Sequence, residues 1–157
     1  MQFDEMYRQH YLLVYRLANR IVRDEEMSKD ISQEIFLKLY HSVINGTKII
    51  NVHSWLYRIT LNFCYNHIRD NRKKTTVAIT SREAEHTTEN TSADAEKIRM
   101  IQSVMVQMKE KDRLVLTLYS EGMSYKEISE ISGIPYSSIG KTLTRALFKL
   151  KEKCNEN

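Results

Sequence analysis

The chain has 157 residues, with 24 Lys+Arg against 20 Asp+Glu, one proline and four glycines. That length fits one ordinary domain or two small ones. So few turn residues exclude an all-β fold, which needs one about every ten positions. The formal net charge of +4 is mild but unevenly placed. Residues 1–73 hold 11 basic and 8 acidic side chains, residues 74–95 hold 2 and 4, and residues 96–157 hold 11 and 8. Two basic lobes joined by an acidic segment suit a nucleic-acid binder, because phosphate neutralisation needs local basic surface more than total charge.

In chain order, Phe3, Met6, Tyr7, Leu13, Val14, Leu17, Ala18, Ile21 and Val22 recur at three- and four-residue steps. They predict an amphipathic helix from about Phe3 to Arg23. Asp24-Glu25-Glu26 reads as the cap and acidic first turn of a second helix. Its apolar face is Met27, Ile31, Ile35, Phe36, Leu39, Tyr40 and Val43. Residues 45–51 break the period and read as a loop, and a third helix is expected from near Val52 through Arg69 toward Lys73. Between Thr75 and Ser92, eight of eighteen residues are Ser or Thr and large apolar side chains nearly vanish. Such a composition buries too little to offset chain entropy, so a flexible linker is expected there. Helical spacing resumes over Ala95 to Met108, and Asp112 is placed to cap a further helix ended by Gly122. The expected fold is all-α: an N-terminal helical bundle (1–74), a flexible linker (75–94) and a C-terminal helix-turn-helix bundle (95–157).

The last of these rests on residues 124–150. Ser124 with Glu127 is a capping-box pair. Gly133 sits where the turn needs positive φ, which a glycine adopts at no steric cost. Ile128, Ile131 and Ile134 face inward, as do Ile139, Leu143 and Leu147 on the following helix. Tyr136, Ser137, Ser138, Lys141, Thr142 and Arg145 are then expected outward, where polar groups reach base edges and cations reach phosphates.

Two N-terminal segments carry further chemistry. Asp30, Gln33, Glu34 and Lys38 share a helix face, which taken alone is a solvated face with internal ion pairs worth about 0.2–0.5 kcal/mol each. Between Trp55 and Lys74, aromatic and amide side chains alternate and end in a basic cluster. Rings stack on unstacked bases, amides bond base edges and cations hold phosphates. Trp55, Ile59 and Phe63 also fit a core role, Trp55 above all, which leaves Asn62, Asn66, Arg69 and Arg72 as the candidates for the wet face.

Together these motifs resemble bacterial sigma factors of the sigma-70 family, more narrowly the extracytoplasmic-function (ECF) subgroup. Asp-x-x-Gln-Glu-x-Phe-x-Lys at 30–38 resembles the helix that contacts core polymerase. Trp-Leu-Tyr-Arg-Ile at 55–59, with Asn62 and Arg69, resembles the −10 recognition helix. Residues 122–146 resemble the −35-reading helix-turn-helix. The resemblance implies that Asp30, Gln33, Glu34, Phe36 and Lys38 serve docking on the β′ clamp helices of core RNA polymerase, with the β subunit a further contact. It implies that Lys48, Asn62, Tyr65, Asn66, Arg69 and Arg72 serve the melted −10 strand, and that the loop Gly46–Asn51 captures a flipped base. It implies −35 contacts from Tyr136, Ser137, Ser138, Lys141, Thr142 and Arg145. The chain departs from the family where Asn66 replaces a frequent Asp and Thr142 a common Arg. Gly140 also weakens its helix by about 1 kcal/mol relative to Ala.

The implied function is promoter-specific initiation with core polymerase, and an anti-sigma factor is an implied partner. The alternative is a free-standing helix-turn-helix regulator. An enzyme is not expected, since His10, His41, His53, His67 and His86 are scattered, without nucleophile–base or metal-ligand spacing. No cofactor or metal is expected either. Cys64 and Cys154 are too far apart in sequence to suggest a disulfide framework or zinc site. The start, Met1 to Glu5, lacks signal-peptide order, and no segment has the roughly 20 apolar residues of a membrane span. A cytoplasmic protein is therefore expected.

Overall fold

The computed structural model describes residues 3–79 and 92–156, the side chains of 76–79 excepted. Among these residues there are seven α-helices and no strand. The N-terminal lobe packs α1 (Phe3–Val22), α2 (Glu25–Ile44) and α3 (Val52–Ile79) around Val14, Leu17, Ala18, Ile21, Ile31, Ile35, Phe36, Leu39, Leu56 and Leu61. The α1–α2 corner is tight. Arg23 takes a positive φ of 55° and its N–H returns to the Asn19 carbonyl, which stops α1. Asp24 then caps α2 by accepting the Met27 N–H at 2.9 Å, as its sequence position predicts. The buried Ser28 hydroxyl locks the corner by donating to the Asp24 carbonyl at 2.6 Å.

The loop after α2 turns at Gly46, with φ 71°. Asn51 opens α3 by accepting the Ser54 N–H at 2.9 Å. α3 then runs past its expected end near Lys73. Arg72, Lys73 and Lys74 are good helix formers, and Thr75 bonds back to the Asn71 carbonyl instead of competing with the helix. Residues 75–79 and 93–94, expected in the linker, are therefore helical. Ser92 caps α4, and residues 80–91 of that segment lie outside the described residues.

The C-terminal lobe contains α4 (Ala93–Gln107), α5 (Glu110–Ser120), α6 (Tyr125–Ser132) and α7 (Tyr136–Asn155). Its core joins Val104, Met105, Leu114, Val115, Leu118, Ile128, Ile134, Ile139, Leu143 and Ala146. Asp112 is not the cap of α5. That helix begins at Glu110, and Asp112 is 2% exposed in its first turn. Its carboxylate instead accepts Lys149 Nζ of α7 at 2.9 Å, with Arg145 at 4.0 Å.

The lobes pack against each other, with α3 in contact with α4, α5 and α6. Gln102 donates to the Ile21 carbonyl at 2.5 Å, and Arg20 pairs with Glu121. An apolar cleft of about 300 Å³ lies along this junction, between Leu17, Ile21 and Tyr65 on one side and Ile98, Met105 and Leu116 on the other. Among the described residues, no helix is long and apolar enough to cross a membrane.

Candidate nucleic-acid interface

The helix-turn-helix forms from the local signals in its sequence. Ser124 and Glu127 close a reciprocal capping box: the Ser124 hydroxyl accepts the Glu127 N–H, and a Glu127 oxygen accepts the Ser124 N–H at 2.7 Å. The Ser124 N–H, and after it the Ser124 hydroxyl donating at 2.9 Å, hold the Glu127 carboxyl below its ordinary value. Gly133 ends α6 at φ 72°, and Ser129 donates to the Ile134 carbonyl at 2.6 Å, closing the corner. Ile134, 3% exposed, fills that corner.

On α7, Ile139, Leu143 and Ala146 turn inward and Tyr136, Ser137, Lys141 and Arg145 outward, with Ser138 half-buried. Thr142 corrects the sequence expectation. It is 7% exposed, because three residues after Ile139 it falls on the same inward stripe. Leu147 is corrected in the opposite sense and stands exposed. Thr144 takes the outward place beside Lys141, its hydroxyl bonded to the Gly140 carbonyl at 2.9 Å. Three-residue spacing from Lys141 would have found it. Gly140 sits inside the helix, where an added Cβ meets only Tyr125 Cε2 at 3.6 Å.

In the N-terminal lobe, Asp30, Gln33, Glu34 and Lys38 line the outer face of α2. Phe36 lies beneath, 2% exposed and edge-on to Tyr7 at 4.7 Å, so it supports that face without standing on it. The exposed side chains of Leu37, Tyr40 and Ile44 extend the same helix surface with apolar area.

The strand-reading candidates spread along one side of α3 and the loop before it. Lys48, Asn66 and Arg69 are exposed, Asn62 and Arg72 half-buried. Arg69 pairs with Asp70 at 3.4 Å, and Arg72 reaches the Arg99 carbonyl at 3.3 Å. Tyr65 departs from the expectation of an accessible residue. It is 6% exposed because α5 lies over it, with the Arg113 guanidinium 5.1 Å from its ring centre. Burial pushes its phenol up to about 12.

A groove of about 580 Å³ runs between the loop Thr47–Asn51 and α6, floored by Trp55, Arg58 and Ile59. Ser54 lines it, 8% exposed, and its hydroxyl has no hydrogen-bond partner. Sequence reasoning passed over Ser54, since nothing in its neighbours marks a buried unpaired hydroxyl. Among the described residues, no group of three His, Cys, Asp or Glu side chains is placed to hold a metal.

Two family descriptions match along the chain: Sigma-70 region 2 over residues 6–74 and Sigma-70, region 4 over residues 98–150. Among curated relatives, the ECF RNA polymerase sigma factor SigM of Bacillus subtilis is 25% identical, the match covering 99% of this chain and 96% of the relative. The RNA polymerase sigma factor YlaC of the same species is 26% identical, over 98% and 92% of the two chains. The sigma-H factor of Pseudomonas aeruginosa is 26% identical over 92% and 81%.

Two solved structures share the fold. One is the sigma factor RpoE in complex with the anti-sigma factor NepR from Bartonella quintana, with TM-score 0.54, 16% identity and coverage of 98% and 96% of the two chains. The other is CnrH in complex with the cytosolic domain of CnrY, with TM-score 0.54, 18% identity and coverage of 99% and 88%. A region 2 match in the N-terminal lobe does not favour a free-standing helix-turn-helix regulator, which has no need of it. With both sigma regions present in order on a two-lobed helical fold, and full-length ECF relatives beside them, the chain belongs to the ECF subgroup of the sigma-70 family and directs transcription initiation by RNA polymerase.

Proposed function

We propose that the two lobes divide promoter recognition between them. The observation that carries this reading is the pair of separate polar faces. On α7, Lys141 and Arg145 stand exposed above a stripe of Ile139, Leu143 and Ala146; on α3, Asn62, Asn66, Arg69 and Arg72 follow the aromatic run. The C-terminal lobe (95–157) reads −35 duplex with Tyr136, Ser137, Ser138, Lys141, Thr144 and Arg145. The N-terminus of α7 adds unpaired N–H groups that favour a phosphate. The N-terminal lobe (1–74) holds the melted −10 strand with Lys48, Asn62, Tyr65, Asn66, Arg69 and Arg72, so that binding energy favours open DNA. Residues 75–94 tether the two at high effective concentration.

The outer face of α2, with Asp30, Gln33, Glu34 and Lys38 on the Phe36 support, docks on core polymerase at the β′ clamp helices. An anti-sigma partner follows by analogy with the two complexes. The protein acts in the cytoplasm and by binding, without a reaction of its own.

Transcription in vitro with core polymerase, with and without the chain, tests this reading. Specific initiation should require the chain, and equal specificity from core alone would sink it. Replacing Asp30 and Gln33 with Ala should abolish polymerase binding while far-UV circular dichroism stays unchanged. Replacing Lys141 and Arg145 with Ala should weaken −35 duplex binding and lower the salt slope by about 0.9 per lost phosphate contact.

A further inference from the structure

Three cations, Lys141, Arg145 and Lys149, follow one another at four-residue steps along α7 and so share one stripe of the helix. Beneath the second half of that stripe lies the Asp112 carboxylate of α5, 2% exposed. Its two oxygens are used unequally. Lys149 Nζ donates to Oδ2 at 2.9 Å, while Arg145 Nη2 stands 4.0 Å from Oδ1, beyond hydrogen-bond reach. The Arg145 side chain is 57% exposed, so its guanidinium keeps its donors toward solvent. A buried carboxylate pulls strongly on a nearby cation, because little water screens it. Arg145 is the better-shaped partner, since a guanidinium can give a carboxylate two parallel N–H bonds and an ammonium cannot. The Lys149 ammonium, already on the other oxygen, offsets that pull and leaves the guanidinium outside.

We infer that Lys149 is a positioning residue for −35 reading: by satisfying Asp112 it keeps Arg145 off that carboxylate and free to reach a DNA phosphate. This rests on the assignment of Arg145 to the −35 duplex. Lys149 itself touches no DNA. Without its charge, Arg145 swings inward onto Asp112 and its donors are taken up by the protein. The recognition helix then keeps its shape but offers one cation fewer to the phosphates. Asp112 is what makes Lys149 necessary, so removing both charges restores the reach of Arg145.

The test reads the affinity of the full chain for a short fluorescein-labelled DNA duplex of mixed sequence, by anisotropy across a range of salt concentrations. Mixed sequence suffices because a phosphate contact carries no sequence information. Lys149→Met should bind about tenfold more weakly and lower the salt slope by about 0.9, as for one lost charge-assisted phosphate contact. Lys149→Arg, which still pairs with Asp112, should bind as the wild type does. Asp112→Asn/Lys149→Met should recover the wild-type affinity and slope. In an Arg145→Ala background, Lys149→Met should change neither, which separates positioning from a general loss of charge. Far-UV circular dichroism checks the fold of each variant. Where Lys149→Met is unfolded, Lys149→Gln takes its place, since its amide still donates to the carboxylate without neutralising it.

Binding that falls on Arg145→Ala yet holds on Lys149→Met overturns the positioning role and spares the −35 assignment. A Lys149→Met loss that persists in the Arg145→Ala background does the same, because it puts Lys149 itself on the DNA. So does a double variant with Asp112→Asn that stays weak. Binding indifferent to Arg145→Ala, or absent in the wild type, overturns the −35 assignment of Arg145 and the positioning role with it.

Discussion

Asp112 offers the sharpest test of how the recognition helix is held. Its carboxylate is 2% exposed in the first turn of α5 and is met by Lys149 Nζ at 2.9 Å, with Arg145 a distant second at 4.0 Å. Replacing Lys149 with Met keeps the aliphatic stem and removes only the charge, leaving a buried carboxylate with one long contact. Stranding a fully buried charge costs about 3–5 kcal/mol. The Lys149 side chain is 39% exposed, so water can reach the vacated position. The expected loss is therefore smaller, about 2 kcal/mol.

Asp112→Ala removes the charge that needed a partner, and the double substitution should cost less than the sum by about 1 kcal/mol. Urea unfolding followed by far-UV circular dichroism measures these terms. Trp55, the lone tryptophan, reports the N-terminal lobe by fluorescence, so its midpoint should move less than the dichroism midpoint. A Lys149→Met cost under about 0.5 kcal/mol, the range of neutral surface changes, would refute the pairing as the anchor of α7. Strict additivity in the double variant would refute it equally.

Two glycines should respond in opposite directions. Gly133→Ala forces a side chain into φ 72° with nothing nearby to compensate, and should lower stability by about 1–2 kcal/mol. Gly140→Ala meets only ordinary contact with Tyr125 and should raise stability by about 1 kcal/mol; thermal melts of both variants check this. Ser54→Ala removes a buried hydroxyl that bonds nothing and should leave the denaturation midpoint equal or higher, whereas a loss above about 1 kcal/mol would mean that the hydroxyl is satisfied in solution. The capping box predicts an acid limit. The folded Glu127 carboxyl lies below its unfolded value near 4.5, so its contribution is complete above that pH and is lost as pH falls through the folded value. The stability gap between wild type and Glu127→Ala should therefore narrow below pH 4.5 in acid titrations followed by circular dichroism.

What the sequence disclosed was local. Asp24 at its cap, Ser124 with Glu127, and Gly133 at the turn each act within four residues, and each stands as read. Misreadings arose where a side chain's fate is set by distant partners. Asp112 looked like a cap because acids favour helix starts, but its partner is Lys149, 37 positions away. Tyr65 was placed on the melted strand by the resemblance, while the surface covering it arrives from α5. Thr142 was a different case: its hydroxyl suggested water, although the helical period already placed it with Ile139 and Leu143. Phe36 shows that a motif residue can serve a face from beneath.

The run of α3 to Ile79 sets a limit on reach. Thirteen residues separate Ile79 from Ala93, where α4 begins. Fully extended chain spans at most about 3.3–3.6 Å per residue, so these two helix ends can part by roughly 50 Å and no further. Each residue drawn out of the end of α3 exchanges a helical rise of about 1.5 Å for extended length, a gain of about 2 Å. The last turns of α3 thus hold a reserve of chain length. Drawing on that reserve costs the helical hydrogen bonds of the residues that unwind.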